Sequence, residues 1–200
     1  MAKGSTSVLR RRQDHCGDPL IPLAESEIRR SFVNCSRGEA RSLTLPTGFS
    51  RVDWAEQDFF SWRDPKAPLR AYIVAERENG LVGIALRTAS AGRSQIRAAM
   101  MCDLCRTVHE AGSAGLFVAP VVGEAGKQGN TVGLYLCGNL ACSAYVRGTL
   151  KPTVRPQAND AVAPADRIVA MMANLERFIS RVTGAGSQPA ADDGLGAVVH

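Results

Sequence analysis

Four cysteines, arranged as two close pairs, constrain the fold of this 200-residue chain more than any other feature. Cys102 and Cys105 are separated by two residues, Cys137 and Cys142 by four, and 31 residues lie between the pairs. A two-residue gap on a tight turn places two sulfur atoms on one edge of a tetrahedron, about 2.3 Å from a central zinc ion. The second pair must then return from a distant part of the chain. The spacing therefore predicts one structural zinc ion bound by these four side chains.

The residues between the two cysteine pairs predict a hairpin that brings the pairs together. Residues 115–122 and 131–136 have the aliphatic and β-branched composition of strands, and a glycine-rich loop containing Lys127 joins them. Gly138 permits a turn directly after the third cysteine, and Cys142 is expected in the first turn of a short helix. A knuckle, a hairpin and a helix that carries the last ligand together describe a treble-clef zinc finger.

Other roles for the cysteines remain open from the sequence. Ordinary buried thiols would require four cysteines to cluster by chance. A thioredoxin-like redox pair at Cys102 and Cys105 would require a helix N-terminus within a βαβ unit, which this strand-rich region does not supply. His109 could replace one cysteine as a ligand, although a surface position is the more common case. Cys35 is expected at the edge of the core, and Cys16 in the N-terminal arm.

Regular elements predicted outside the finger give an α+β fold with a mixed N-terminal domain of helices and a hairpin. The periodicity predicts helices over residues 24–34 and 53–65, and a strand fragment over residues 42–49. A hairpin is predicted where two apolar segments flank Asn79 and Gly80, a dipeptide typical of type I′ turns.

A long amphipathic helix is predicted after the finger. Two prolines make residues 149–160 a predicted linker; Pro164 then opens the helix and Gly184 ends it. Its apolar residues recur at the spacing of one helix face, and they are Ile168, Met171, Met172, Leu175, Phe178, Ile179 and Val182. The predicted divisions of the chain are a disordered arm (1–22), an N-terminal α+β domain (23–95), the zinc finger (96–155), the C-terminal helix (156–184) and a flexible tail (185–200).

Composition and charge exclude some classes of function. The apolar share of 45% is enough for a buried core, but no apolar stretch approaches the ~20 residues of a membrane span. The N-terminus lacks the apolar segment of a signal peptide, so we expect a cytoplasmic protein without a membrane partner. Residues 93–155 carry 7 basic and 3 acidic side chains, whereas residues 156–200 carry 3 and 5. The finger is thus suited to an acidic partner, either RNA or an acidic protein face.

Several segments together resemble a known family. The segments SFVNCSRGEARSLTLP, WRDPKAPLRAYIVAE, MCDLCRTVHEAG and GKQGNTVGLYLCGNLACSAYVRG are similar to those of actinobacterial proteins with a C-terminal treble-clef zinc finger that binds elongation factor G. These proteins are relatives of the FusB-type fusidic acid resistance proteins. The resemblance extends over residues 23–183 and is strongest over residues 101–148. It implies a structural zinc module that recognises elongation factor G, and FusB-type members promote release of this factor from ribosomes stalled by fusidic acid.

On this resemblance, the leading hypothesis is a non-enzymatic translation accessory protein with elongation factor G as its partner and the ribosome as a further one. The predicted contact residues are basic or aromatic side chains of the finger, namely Arg106, Lys127, Tyr135, Tyr145 and Arg147. Direct binding of RNA or of the ribosome is the alternative hypothesis. The scattered arrangement of the basic residues and the lack of an aromatic platform count against it.

An enzyme is the third hypothesis, and no small-molecule substrate is expected. Neither a Ser/His/Asp set nor a pair of carboxylates stands out in the sequence. Four cysteines close the metal site, whereas a catalytic zinc keeps one coordination position open. The loop GEAGKQGN departs from the phosphate-binding P-loop pattern, because Gln128 follows Lys127 where serine or threonine is required.

Overall fold

Seven strands and five helices make up the described part of the chain. The computed structural model describes residues 20–89, 97–155, 157 and 160–184. The strands are β1 (Phe60–Arg63), β2 (Arg70–Arg77), β3 (Gly80–Thr88), β4 (Met100–Met101), β5 (Val108–His109), β6 (Ala114–Pro120) and β7 (Thr131–Cys137). The helices are α1 (Glu25–Ser31), α2 (Arg37–Ser42), α3 (Glu124–Lys127), α4 (Cys142–Arg147) and α5 (Pro164–Thr183), with single 3₁₀ turns at Phe49–Arg51 and Trp54–Glu56. These elements confirm the predicted α+β class.

An antiparallel sheet in the order β1-β2-β3-β6-β7 is the framework of the molecule, and β4 and β5 form a separate two-stranded ribbon. β3 and β6 are joined through two residue pairs, Arg87 with Val118 and Thr88 with Phe117. The predicted domain boundary at residue 95 falls between these strands and lies outside the described residues. Strands from both predicted domains therefore share one sheet, while the boundary itself stays a prediction.

The predicted hairpin is present as β2 and β3, with Arg77 paired to Gly80. Its turn differs in type from the prediction. A type I′ turn needs positive φ at both central residues, but of Asn79 and Gly80 only Gly80 has one, at 106°. The two turn residues are Glu78 and Asn79, and Gly80 opens β3 in a backbone conformation that glycine adopts without strain.

The predicted strand over residues 42–49 is wrong. The helix α2, which a capping box at Ser36 and Glu39 begins, ends at Ser42, and residues 43–48 form neither helix nor strand. The Ser36 hydroxyl accepts a hydrogen bond from the Glu39 N–H, and the Glu39 carboxylate accepts one from the Ser36 N–H. Beyond α2, the Thr44 N–H donates to the Asp64 carboxylate (2.9 Å) instead of to a neighbouring strand.

The predicted helix over residues 53–65 is also wrong. Its first part is a single 3₁₀ turn and its second part is the strand β1. Within β1 the side chains of Phe60 and Trp62 are buried, and the residues that alternate with them are half-buried. This burial follows the two-residue period of a strand. The ring of Trp62 packs between those of Phe60 and Tyr72, with centroids 4.8 and 4.9 Å away, so the aromatic residues build a core on one sheet face.

The long C-terminal helix is confirmed as α5. Pro164 occupies its first turn, and Gly184 follows it in a left-handed conformation with φ of 75°. The predicted apolar stripe is buried, apart from Met172, which is half-buried beside it. The stripe packs in the same core as the four cysteines and the inner face of β6 and β7. Within the residues that the structure describes, no helix combines the length and the apolar character needed to span a membrane.

Candidate metal centre

Four buried cysteine side chains lie together where β4, β7 and α4 meet. The Sγ atoms of Cys102, Cys105, Cys137 and Cys142 all lie within 4.8 Å of one another. None of these residues is more than 3% exposed. The fold thus brings together the four residues that the spacing predicts as metal ligands.

The first pair lies in a tight turn between β4 and β5, the knuckle (residues 102–106). The Arg106 N–H donates to the Cys102 carbonyl (3.0 Å), and Arg106 itself has a positive φ of 60°. Asp103 fastens the knuckle to the edge strand of the sheet. Its N–H donates to the Tyr135 carbonyl (2.8 Å), and the Tyr135 N–H donates to its carboxylate (2.6 Å). The position of the first pair relative to β7 is therefore held by protein hydrogen bonds as well as by a metal.

The second pair lies at the two ends of a turn between β7 and α4. Cys137 is the last residue of β7, and Cys142 is the first residue of α4. The positive φ in this turn belongs to Leu140, at 57°. Gly138 is needed for a different reason, because its N–H donates to the Ser113 carbonyl (2.8 Å) and a Cβ atom there would lie 2.8 Å from that oxygen. A larger residue at 138 would push the turn, and with it the third cysteine, away from the sheet.

The separations between the sulfur atoms match those of a tetrahedral zinc site. Three of the six separations are 3.8 Å for Cys102 and Cys142, 3.4 Å for Cys105 and Cys137, and 3.6 Å for Cys137 and Cys142, and all six are within 4.8 Å. Four sulfurs bound to one zinc ion at about 2.3 Å are about 3.8 Å apart. A disulfide would need a sulfur–sulfur distance of about 2.05 Å. The arrangement fits a single, fully coordinated zinc ion.

The thiol cluster favours negative charge on one of its members. Hydrogen bonds from Cys102, Cys137 and Cys142 lower the pKa of the Cys105 thiol far below its usual range. Hydrogen bonds with Cys102 and Cys105, together with burial, raise the pKa of the Cys137 and Cys142 thiols. A divalent cation at the centre would deprotonate all four, since thiols that coordinate a metal lose their protons. The donor set is thus suited to zinc, which prefers thiolates.

His109 is buried, so the surface position favoured for it from the sequence is wrong. The residue is 4% exposed, and its Nε2 atom lies 3.1 Å from the Sγ atom of Cys137. Its ring packs edge-to-face against Tyr145, with centroids 4.9 Å apart. The spacing of the sequence gives no signal for this contact, because it arises when the ribbon of β4 and β5 folds over the second cysteine pair.

Hydrogen bonds attach the turn of the second pair to β1, at the other edge of the sheet. The Ser61 hydroxyl donates to the Leu140 carbonyl (2.8 Å), and Arg63 Nε donates to the Gly138 carbonyl (3.0 Å). The Arg63 guanidinium also lies over the Phe117 ring, 4.9 Å from its centroid. The sheet is therefore curved, so that β1 at one edge contacts the turn that follows β7 at the other edge.

A buried ion pair makes a further attachment between the finger and the N-terminal part. Arg147 Nη2 donates to Asp58 Oδ1 at 2.6 Å, and the two side chains are 19% and 1% exposed. The Asp58 N–H also donates to the Ser143 hydroxyl (3.1 Å). Helix α4, which carries the fourth cysteine, is thereby fixed to the segment that precedes β1.

The five predicted partner contacts fall into two groups. The side chains of Arg106 and Lys127 are exposed, and that of Tyr135 is half-buried on β7. Lys127 ends the short helix α3, which lies within the predicted glycine-rich loop. By contrast, Tyr145 is 8% exposed and packs on His109, and Arg147 forms the ion pair with Asp58. Three of the five are thus accessible to a partner; contact with a partner stays a prediction for all five.

Of the two other cysteines, the structure describes Cys35, which lies apart from the centre. Cys35 is half-buried, and burial raises the pKa of its thiol to about 11. Cys16 lies outside the described residues. Cys35 therefore offers a comparison cysteine that is present in the fold but absent from the cluster.

Comparison with known proteins identifies the family. The family described as FBP C-terminal treble-clef zinc-finger matches residues 27–182. The chain belongs to this family. The match includes all four clustered cysteines, and a treble-clef finger with such a cluster fits one structural zinc ion as its cofactor; that these four side chains are its ligands stays a prediction. The predicted relationship to FusB-type proteins and the predicted cofactor are both confirmed.

A solved structure shares the fold. The fusidic acid resistance protein FusC is similar with a TM-score of 0.53 and 16% sequence identity. The similarity covers 83% of this chain and 61% of FusC, so the chain accounts for about three fifths of that protein's length. In the comparison with curated proteins, none matches the chain.

Proposed function

We propose that this protein binds elongation factor G through its zinc finger, promotes release of the factor from the ribosome, and so contributes to fusidic acid resistance. The observation that carries the proposal is the membership of the chain in a treble-clef family whose fold is shared with a fusidic acid resistance protein. Such a role needs no bond to be made or broken, and we propose that the protein acts in the cytoplasm by binding alone.

One of the accessible contact residues, Tyr135, belongs to an apolar patch on the outer face of β6 and β7. Tyr135 on β7 is the direct cross-strand neighbour of Leu116 on β6, and Leu116 is 44% exposed. Gly133 lies beside Leu116 and leaves its side chain uncovered. An antiparallel sheet that faces water usually carries polar residues there. Arg106 lies in the knuckle that Asp103 fastens to Tyr135, and Lys127 lies in the loop that joins β6 and β7, so both add positive charge to the region of this hairpin.

This arrangement has the composition of a protein-binding surface. An apolar centre with an aromatic residue supplies most of the affinity in such surfaces, and the surrounding charges govern the association rate and the salt dependence. We propose that Tyr145 and Arg147 support the surface from within, since their side chains pack against His109 and Asp58.

Direct binding of RNA is less well supported by the charges. Binding to phosphates needs cations that are free of internal partners. Arg147 is instead held by Asp58 in a largely buried ion pair, so this cation of the finger is not free to bind a phosphate. We therefore keep RNA as the comparison ligand in the test below.

A binding titration with purified elongation factor G tests the proposal. The double variant Arg106→Glu, Lys127→Glu should bind the factor roughly tenfold or more weakly at low salt, because reversed charges repel an acidic face. Its zinc content and melting temperature should match those of the wild type, since both side chains are exposed. A matched control reverses two exposed charges elsewhere, as Arg51→Glu, Lys66→Glu, and should bind like the wild type.

The titration tests the location of the binding surface and the proposed function separately. Equal affinity in the finger variant and the control would move the binding surface away from Arg106 and Lys127. Absence of binding by the wild-type protein, together with tight binding of a ribosomal RNA fragment under the same conditions, would replace the proposed function with RNA binding.

A further inference from the structure

His109 is a buried polar residue beside the metal-binding sulfurs, and neither the four-sulfur zinc site nor the proposed partner surface uses it. Its Nε2 atom lies 3.1 Å from Cys137 Sγ, which is within hydrogen-bonding distance for a sulfur acceptor. A buried imidazole without a partner would lose hydrogen bonds that water supplies in the unfolded chain. The contact with sulfur is therefore the interaction that needs an explanation.

We propose that His109 is a positioning residue that donates a hydrogen bond from Nε2–H to the zinc-bound thiolate of Cys137. A cysteine that coordinates zinc has lost its proton and can only accept a hydrogen bond. The hydrogen atom in this contact must then belong to Nε2, so the sulfur requires an imidazole that carries a hydrogen on that nitrogen.

The orientation of the ring is fixed from two sides. His109 lies in β5, where it pairs with Met100 directly before the knuckle. An edge-to-face contact with Tyr145 also restrains the ring, with an angle of 76° between the planes. Tyr145 is itself held at its hydroxyl, which accepts a hydrogen bond from Asn139 Nδ2 (3.1 Å) in the turn of the second cysteine pair. The imidazole thus connects the two segments that carry the ligands.

A second donor occurs two residues earlier on the same extended segment. The hydroxyl of Thr107 lies 3.3 Å from Cys105 Sγ, and the same reasoning makes it the donor once that sulfur is a thiolate. Thr107 and His109 are 1% and 4% exposed, whereas Val108 between them is half-buried. Alternate residues of an extended chain share one side. One thiolate from each cysteine pair therefore receives a side-chain hydrogen bond from this segment.

The hydrogen bond should make the site retain zinc more tightly and react more slowly. A donor withdraws charge from a thiolate, which lowers its nucleophilicity toward electrophiles. It also keeps the sulfur in the direction required by the metal, and loss of such supporting contacts lowers metal affinity by about 10- to 100-fold in other sites.

Two substitutions in the full-length protein test this role. His109→Phe keeps a ring in the core but removes the donor, and His109→Gln keeps an N–H group of similar reach. We expect the phenylalanine variant to bind zinc about 10- to 100-fold more weakly in competition with a chelator. Its cobalt-substituted form should show sulfur-to-cobalt charge-transfer bands at lower energy, and N-ethylmaleimide should modify it faster. The glutamine variant should recover most of each property.

A measurement on the wild-type protein keeps the test independent of how the variants fold. In the zinc-loaded, ¹⁵N-labelled protein, the spectrum of His109 should show the hydrogen on Nε2. A spectrum that shows no hydrogen on Nε2 would overturn the proposal. Unchanged cobalt bands in a folded His109→Phe variant would also overturn it, and so would an absorption spectrum that shows a nitrogen ligand on the zinc.

Discussion

Cys142→Ser should remove zinc from the protein and unfold the finger. The Cys142 sulfur is 2% exposed and lies within 3.8 Å of two other cysteine sulfurs, so no solvent ligand can easily replace it. Structural zinc contributes its binding free energy to folding, on the order of 10 kcal/mol. Cys142 begins α4, which packs against α5, so loss of the metal should also loosen the C-terminal helix. Zinc analysis and thermal unfolding followed by circular dichroism measure both effects.

Cys35→Ser is the matched control for this substitution. Cys35 is half-buried and lies outside the cluster, so its replacement should leave one zinc ion per chain. A Cys142→Ser protein that retains zinc and melts like the wild type would show that the fourth cysteine is not needed for the site.

Asp58→Ala should destabilise the protein by about 3–5 kcal/mol, because it leaves a largely buried arginine charge without its partner. Arg147 is 19% exposed, and its guanidinium lies 2.6 Å from the carboxylate of Asp58. The same carboxylate joins α4 to the segment before β1, so the zinc finger should separate more easily from the first strand. Urea unfolding monitored by tryptophan fluorescence measures the change, since Trp54 and Trp62 lie close to this segment in sequence.

Two further variants test whether the loss of stability comes from breaking the buried ion pair or from substitution in general. Arg155→Ala breaks an exposed pair, with side chains 47% and 40% exposed, and should cost less than about 1 kcal/mol. The double variant Asp58→Leu, Arg147→Met replaces both charges by apolar groups and should be more stable than Asp58→Ala. An Asp58→Ala protein as stable as the Arg155→Ala protein would show that the buried pair does not hold α4 in place.

The sequence predicts those features that are encoded in local spacing. The four cysteines carry their chemistry in their own side chains, and the apolar stripe recurs along most of the 20-residue helix α5, so each is visible without knowledge of the fold. The predicted helix at residues 53–65 failed because Trp54 and Trp62 also satisfy helical spacing, although the strand β1 pairs with a segment that lies further along the chain. The capping box at Ser36 and Glu39 was a local signal that predicts α2.

The features that the sequence does not predict arise from contacts between segments that are distant along the chain. His109 and Cys137 are 28 residues apart, and Arg147 and Asp58 are 89 apart, so spacing along the chain reveals neither contact. Gln157, in the predicted linker, is a further case. Its side-chain amide accepts from the N–H of Val108 (2.8 Å) and donates to the carbonyl of the same residue (3.1 Å), which ties the linker to the ribbon that carries His109.

X-ray absorption at the zinc edge, combined with metal analysis of the purified protein, tests most directly whether the finger is built around one zinc ion. Four clustered sulfurs predict one zinc per chain with a single shell of four sulfur atoms at about 2.3 Å. A shell containing nitrogen or oxygen, or a folded protein with clearly less than one zinc per chain, would contradict the four-cysteine site.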